Sequence, residues 1–344
     1  MQRERDNSEI ATFLMCPRAH DYAYHQLLRP IRDRLILTAG TAAHAAAALL
    51  MQDLEWRPHI NNWEAAMLAA LGTGADGPEP SYSTEDVTEK ANALRHGLRA
   101  YEEWWAGQDC EVISIEEYFR WSVPGTRTVL VGRADAVVRI AGQVWLQELK
   151  TSSRRWSARE VAINRQFASY TAAWRETYPE LVGVRLVNIY LKVPTTTICK
   201  PTKKWPKGYP STAETVNCPR ETYLSALQQC EIAEGEEKFA AVLGRLPGRV
   251  EYHIQEDPSA YSVDAIAHFV EEDLRDVIRL MDRAKREHFR VRSPGLFAMN
   301  CQSCAYHSLC SAELHGHDTS DLAALGYTVG TDKYPYLRDD VEEE

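Results

Sequence analysis

The sequence has no apolar run approaching the length of a membrane span, so no stretch is read as a bilayer-crossing helix. Its first residues, Met1-Gln2-Arg3-Glu4-Arg5-Asp6, are charged and lack the apolar core of a signal peptide. We therefore expect a cytoplasmic chain. There the eight cysteines are expected as thiols or metal ligands rather than disulfides. A surplus of positive charge is also lacking: 39 Lys and Arg face 49 Asp and Glu, for a net charge of −10. That balance argues against a protein that coats polyanions nonspecifically, and leaves local grip open. Part of the acidic excess sits in the last stretch, Arg338-Asp339-Asp340-Val341-Glu342-Glu343-Glu344, read as a solvated tail. Basic residues cluster at Arg29, Arg32 and Arg34, at Arg154 and Arg155, and at Lys200, Lys203, Lys204 and Lys207. Each cluster alone fits a solvated surface. No internal repeat is present.

A length of 344 residues fits one large domain or two small ones. Ser8 is placed to cap a short helix over 9–15, which Pro17 interrupts. An alanine-rich helix is expected over 42–54, opened by Thr41 and carrying His44 in its first turn. A Gly/Pro loop covers 72–80, and an amphipathic helix covers 84–105. Near Cys110 the character changes. Residues 111–123 and 128–140 are β-like runs divided by Pro124-Gly125, and Ala141-Gly142 turns the chain into a strand over 143–150. A helix over 158–178, a strand over 184–193 and a mainly helical remainder follow, with 262–289 the longest helix. The outline is α/β: a small mixed sheet flanked by helices, with helical elaborations at both ends.

Counting outward from Ala141-Gly142 pairs Ile140 with Gln143 and Val138 with Trp145, and brings Asp135 opposite Glu148. Two like charges at that spacing destabilise a sheet unless a cation lies between them. Strand alternation puts Glu148 and Lys150 on one side and Leu149 on the other. Two carboxylates and an ammonium on one patch suit Mg²⁺ or Mn²⁺. A surface ladder of charged pairs would carry the same residues, and the hairpin alone does not choose between them.

Gly132-Arg133-Ala134-Asp135 followed by Glu148-Leu149-Lys150-Thr151 resembles the bipartite signature of PD-(D/E)XK nucleases, in their RecB-like branch. Gly40-Thr41-Ala42-Ala43-His44 looks like that branch's Gly-x-x-x-His helix, and Gln166-Phe167-Ala168-Ser169-Tyr170 like its Gln-x-x-x-Tyr helix. Cys16-Pro17 with Cys301, Cys304 and Cys310 looks like the split four-cysteine site of its iron–sulfur members, which include the AddB nuclease subunit and the CRISPR-adaptation exonucleases. The resemblance implies a restriction-endonuclease-like core. Asp135, Glu148, His44 and the Leu149 carbonyl would hold the divalent metal. Lys150 would orient water or stabilise the phosphate, and Gln166 and Tyr170 would support Lys150 or contact the strand. No Gly-x-x-x-x-Gly-Lys-Ser/Thr loop occurs, so a complete helicase–nuclease subunit is not expected.

Four thiolates can hold zinc or an iron–sulfur cluster, and spacing does not identify which; His307 could enter a zinc set. The resemblance favours [4Fe–4S]. It divides the chain into a cluster-ligand segment (1–39), a nuclease core (40–215), a helical region with the cysteine triplet (216–316) and the acidic tail (317–344). The expected substrate is DNA, single-stranded or with frayed ends, cut as an exonuclease would cut it. The Lys200, Lys203, Lys204 and Lys207 loop, with Trp205, is a candidate for holding the strand. The resemblance also implies a prokaryotic or phage-infected cell, with protein partners in recombination, replication or CRISPR adaptation. The alternatives are a non-catalytic DNA-binding or assembly module and an RNA-directed nuclease.

Overall fold

The computed structural model describes residues 2–30, 35–72, 82–295 and 299–334. Residues 73–80 of the loop expected over 72–80, Arg32 and Arg34, and the acidic stretch over 338–344 lie outside the described residues.

The chain enters through a short strand β1 (Arg3–Arg5) and helix α1 (Asn7–Met15). Asp6, not Ser8, caps α1 by accepting the Glu9 amide at 2.6 Å, so the helix starts earlier than expected. Helix α2 (Pro17–His20) and strand β2 (Leu28–Pro30) precede three long helices, α3 (Leu35–Met51), α4 (Arg57–Gly72) and α5 (Thr84–Ala106). Helix α3 begins well before Thr41 because its threonines bond inside the helix: Thr38 and Thr41 donate to the Leu35 and Leu37 carbonyls. His44 thus sits mid-helix rather than in a first turn. Helix α4 was not anticipated from the sequence.

Strands β3 (Cys110–Ser122), β4 (Thr128–Ile140) and β5 (Gln143–Ser152) follow as the periodicity predicts. Ala141 and Gly142 both have positive φ, 48° and 79°, as a two-residue hairpin turn requires, and Ile140 pairs with Gln143. The helix expected over 158–178 is divided into α6 (Ala158–Ala162) and α7 (Arg165–Trp174). Asn164 restarts it by accepting the Gln166 and Phe167 amides. This crossover leads to β6 (Leu181–Tyr190), parallel to β5. The loop carrying Lys200, Lys203, Lys204 and Lys207 joins β7 (Ile198–Cys199) and β8 (Tyr209–Pro210) in a small hairpin, and β9 (Ile254–Ala260) completes the main sheet antiparallel to β6. That edge strand lies in a stretch read from sequence as helical. The long helix expected over 262–289 is present over 263–286, with a π-helical stretch at Phe269–Leu274.

Among the described residues the main sheet is six-stranded, in the order β1-β4-β5-β6-β9 with β3 on the other edge of β4. Helices α1, α7 and the 263–286 segment bury one face against Val137, Val144, Leu146 and Leu186. Helices α3, α4 and α5 bury the other against Leu149, Val187 and Ile189. Strand β4 shares one edge between two partners: β1 pairs with Thr128–Leu130 and β5 with Ala136–Ile140. Both ladders stop short of the stretch over 131–135, and the site opens there.

Candidate active site

The hairpin arithmetic holds as far as Ala136–Gln147, and then the ladder ends. Asp135 and Glu148 therefore do not form the ladder pair expected of them. The cause is local: Asp135 Oδ2 accepts the Leu149 amide at 2.7 Å, taking a backbone donor at the end of the ladder. The two carboxylates still converge. Asp135 Oδ1 is 3.0 Å from Nδ1 of His44, while Lys150 Nζ and Gln166 Nε2 both donate to Glu148 Oε1, the latter at 2.7 Å.

Helix α3 brings His44 to the sheet because Gly40 lies against β5. A Cβ there would stand 3.3 Å from the Thr151 hydroxyl, tighter than most neighbours tolerate. Helix α7 presents Gln166 and Tyr170 from the opposite face, four residues apart on one side of the helix. Gln166 supports Glu148 rather than Lys150. Tyr170 packs edge-on against Phe119 at 5.1 Å, over Gly132, where a Cβ would meet the Phe119 ring at 2.6 Å. Gly40, His44, Gly132, Asp135, Gln166 and Tyr170 line a cavity of about 460 Å³, together with Asn7 and Ser8 of α1.

Burial acts against every charge here, and neighbours decide the outcome. Desolvation would raise the pKa of Asp135, but the His44 charge and hydrogen bond, Lys150 and the Leu149 amide hold it below the usual carboxylate range. For Glu148, burial prevails with help from the Asp135 charge, and its pKa is raised despite Lys150. Desolvation would lower Lys150 and His44; the two carboxylates beside Lys150, and Asp135 beside His44, raise both instead. At neutral pH Lys150 is a hydrogen-bond donor held in place by Glu148.

The donor set suits a hard divalent cation: two carboxylates, an imidazole and a strand carbonyl. Among the described residues no group of three or more His, Cys, Asp or Glu is already drawn to metal-holding distances. At this site, Asp135 binds His44 and Leu149 instead.

Cys16, Cys301, Cys304 and Cys310 line one separate cavity of about 210 Å³, together with His307. None of the eight cysteines is disulfide-bonded. Burial raises the Cys304 pKa; the Tyr306 amide lowers it, and nearby Cys16, Cys301 and Cys310 raise it further. The structure thus brings together cysteines nearly three hundred positions apart in the chain. Lys200, Lys203, Lys204 and Lys207 are exposed on the β7–β8 hairpin, and none lines the active-site cavity. Lys207 pairs with Glu231. Trp205 does not present a free stacking face: it is partly buried against Tyr209 and Phe239 at 4.6 and 5.6 Å, with Lys204 over its ring.

Arg133 and Glu116, which the sequence reading did not single out, are also among the residues lining the cavity. Pairing the facing ends of the two β-like runs, Val123 with Thr128, and counting outward would have found Glu116 across from Asp135.

Among curated proteins nothing matches the chain. The family model described as the PD-(D/E)XK nuclease superfamily matches residues 7–311, nearly the whole chain and all of the site just described. The central mixed sheet with helices on both faces is the restriction-endonuclease-like architecture of that group. The chain belongs to the PD-(D/E)XK nuclease superfamily.

Proposed function

We propose that the protein is a Mg²⁺- or Mn²⁺-dependent deoxyribonuclease of the RecB-like branch, acting on single-stranded or frayed DNA ends. The observation that carries this reading is the cluster of His44 on Asp135 and Lys150 on Glu148 beside one cavity, which His44 and Asp135 line, with the carboxylates held ready by the Leu149 amide and Gln166. His44, Asp135, Glu148 and the Leu149 carbonyl would hold the cation. Bound there, it would lower the pKa of a water and offset charge developing on the phosphate.

The rest falls to the chain. Lys150, kept protonated by its two carboxylates, donates toward a phosphate oxygen or the attacking water. Gln166 holds Glu148 in place beside Lys150. Tyr170, whose buried hydroxyl is pushed well above the ordinary phenol range, stays neutral and fixes the wall beside Gly132. Cys16, Cys301, Cys304 and Cys310 would hold a [4Fe–4S] cluster, with zinc the competing occupant. Its contribution is to join the chain's two ends, away from the chemistry.

Cleavage of labelled single-stranded DNA, duplex DNA and RNA by purified protein tests the reading. We expect metal-dependent loss of single-stranded DNA and, for Lys150→Ala, a fall of roughly 10²-fold or more. Equal cleavage by Lys150→Ala, or a preference for RNA, would contradict it. An anaerobic preparation with broad absorbance near ~400 nm and bound iron is expected of the cysteine site. Zinc without iron would overturn that assignment.

A further inference from the structure

The active-site wall holds a cation and a third carboxylate that the proposed chemistry leaves without a task. Arg133 Nε donates to Glu116 Oε2 at 2.7 Å, with the two side chains 34% and 25% exposed. Both line the cavity that contains His44, Asp135, Gln166 and Tyr170. Among the described residues lining that cavity, Arg133 is the one arginine or lysine; Lys150 stands behind it, tied to Glu148.

Glu116 is placed with some effort. The pairs Ile115–Ala136 and Glu117–Ala134 put it across from Asp135 on the neighbouring strand, yet its backbone turns to a φ of 53°. A glutamate in the left-handed region persists only where its surroundings fix it, and such strain gathers at functional positions. Here the turned backbone accompanies a carboxylate that faces Arg133 across the wall.

We propose that Arg133 binds a phosphate of the substrate strand beside the one that is cleaved, and that Glu116 occupies its guanidinium until the strand arrives. This rests on the nuclease reading above. Glu116 and Asp135 line the cavity and Glu148 lies close to Asp135; these carboxylates repel a polyanion, so a strand needs a cation at the wall to seat itself. A planar guanidinium meets a phosphate through two parallel hydrogen bonds, a geometry that suits Arg133 to this task. The Arg133–Glu116 pair is partly exposed and therefore weak enough to exchange. Glu116 then acts as a competitor for Arg133, setting how tightly any strand is held.

The test is equilibrium binding of a fluorescein-labelled single-stranded oligonucleotide to the full chain, in EDTA and across a salt series, with KM measured in Mg²⁺ or Mn²⁺. Arg133→Gln should weaken binding about tenfold and flatten the slope of log K against log salt by about 0.7, the loss of one phosphate contact on a single strand. Arg133→Lys should keep the slope and recover part of the affinity. Glu116→Gln should tighten binding and lower KM severalfold. Unchanged affinity and slope in Arg133→Gln, or weaker binding in Glu116→Gln, overturns the inference while leaving the nuclease reading intact. A wild-type chain that neither binds the oligonucleotide nor cleaves it with metal overturns both. Thermal melts of the Arg133→Lys and Glu116→Gln variants separate these outcomes from misfolding.

Discussion

Gln166 illustrates how a single side chain sets the character of another. Its amide donates to Glu148 Oε1 beside Lys150, and burial already holds Glu148 above the usual carboxylate range. Removing that donor leaves the buried anion less compensated, so its pKa should climb further. A site that needs Glu148 ionised loses activity as pH falls through that pKa. Gln166→Leu should therefore move the acid limb of the pH–rate profile upward and raise the metal concentration needed for half-maximal rate. The measurement is kcat/KM against pH at several Mn²⁺ concentrations; an unmoved acid limb would separate Gln166 from Glu148. Asp135, Glu148 and Lys150 were legible in the sequence because turn counting and strand alternation act within a few residues. His44 and Gln166 were not legible that way. Their contacts depend on how α3 and α7 dock on opposite faces of the sheet, and only family resemblance marked them.

At the scale of elements, the β4–β5 hairpin formed in the expected register because the Ala141-Gly142 turn and the buried faces agree on it. What counting missed is the end of the ladder, where a side-chain oxygen of Asp135 replaces a backbone partner for Leu149. The break between α6 and α7 was hidden for a related reason. No proline or glycine marks it, and Asn164 terminates the run by capping the next helix. Strand β4 also meets α7 through Gly132, where an added Cβ would fall 2.6 Å from Phe119 and 3.0 Å from the Tyr170 hydroxyl. Gly132→Ala should cost about 1–3 kcal/mol through overpacking and displace Tyr170 from the cavity wall. A melting temperature equal to the wild type would show that β4 and α7 can part more easily than their packing implies.

For the whole molecule, the ends of the chain are held together by more than cysteines. Strand β10 (Tyr327–Val329) pairs with β2, and Tyr306 packs on Tyr22. Lys333 and Tyr334 reach back to Glu9, which also meets His20 at 3.0 Å. Burial would raise the Glu9 pKa, but His20, Lys333 and Tyr334 hold it at about 2. Its contribution to stability is present above the unfolded value of 4.5 and lost as pH falls through about 2. Asp6 has the opposite sign. Burial raises its pKa to about 7, so its stabilising protonated form is complete below 3.8 and lost as pH rises through about 7. Asp6→Asn keeps the cap and removes the titration. It should match the wild type near pH 4 and exceed its stability at pH 8 by about 1–3 kcal/mol, read from urea melts at both values. No pattern in the sequence announced this network, since it joins residues more than three hundred positions apart.

Charge at Asp135 is central to the proposed chemistry, and Asp135→Asn isolates it. The amide preserves shape and can still accept the Leu149 N–H, while the negative charge toward His44 and any bound cation is gone. Cleavage of single-stranded DNA by wild type and Asp135→Asn, with Mn²⁺ binding to each followed by titration, is the most direct measurement. We predict a variant that melts within a few degrees of wild type, binds Mn²⁺ at least tenfold more weakly and cleaves roughly 10³-fold more slowly. A folded Asp135→Asn protein that binds Mn²⁺ and cuts DNA like the wild type would contradict the active site described above.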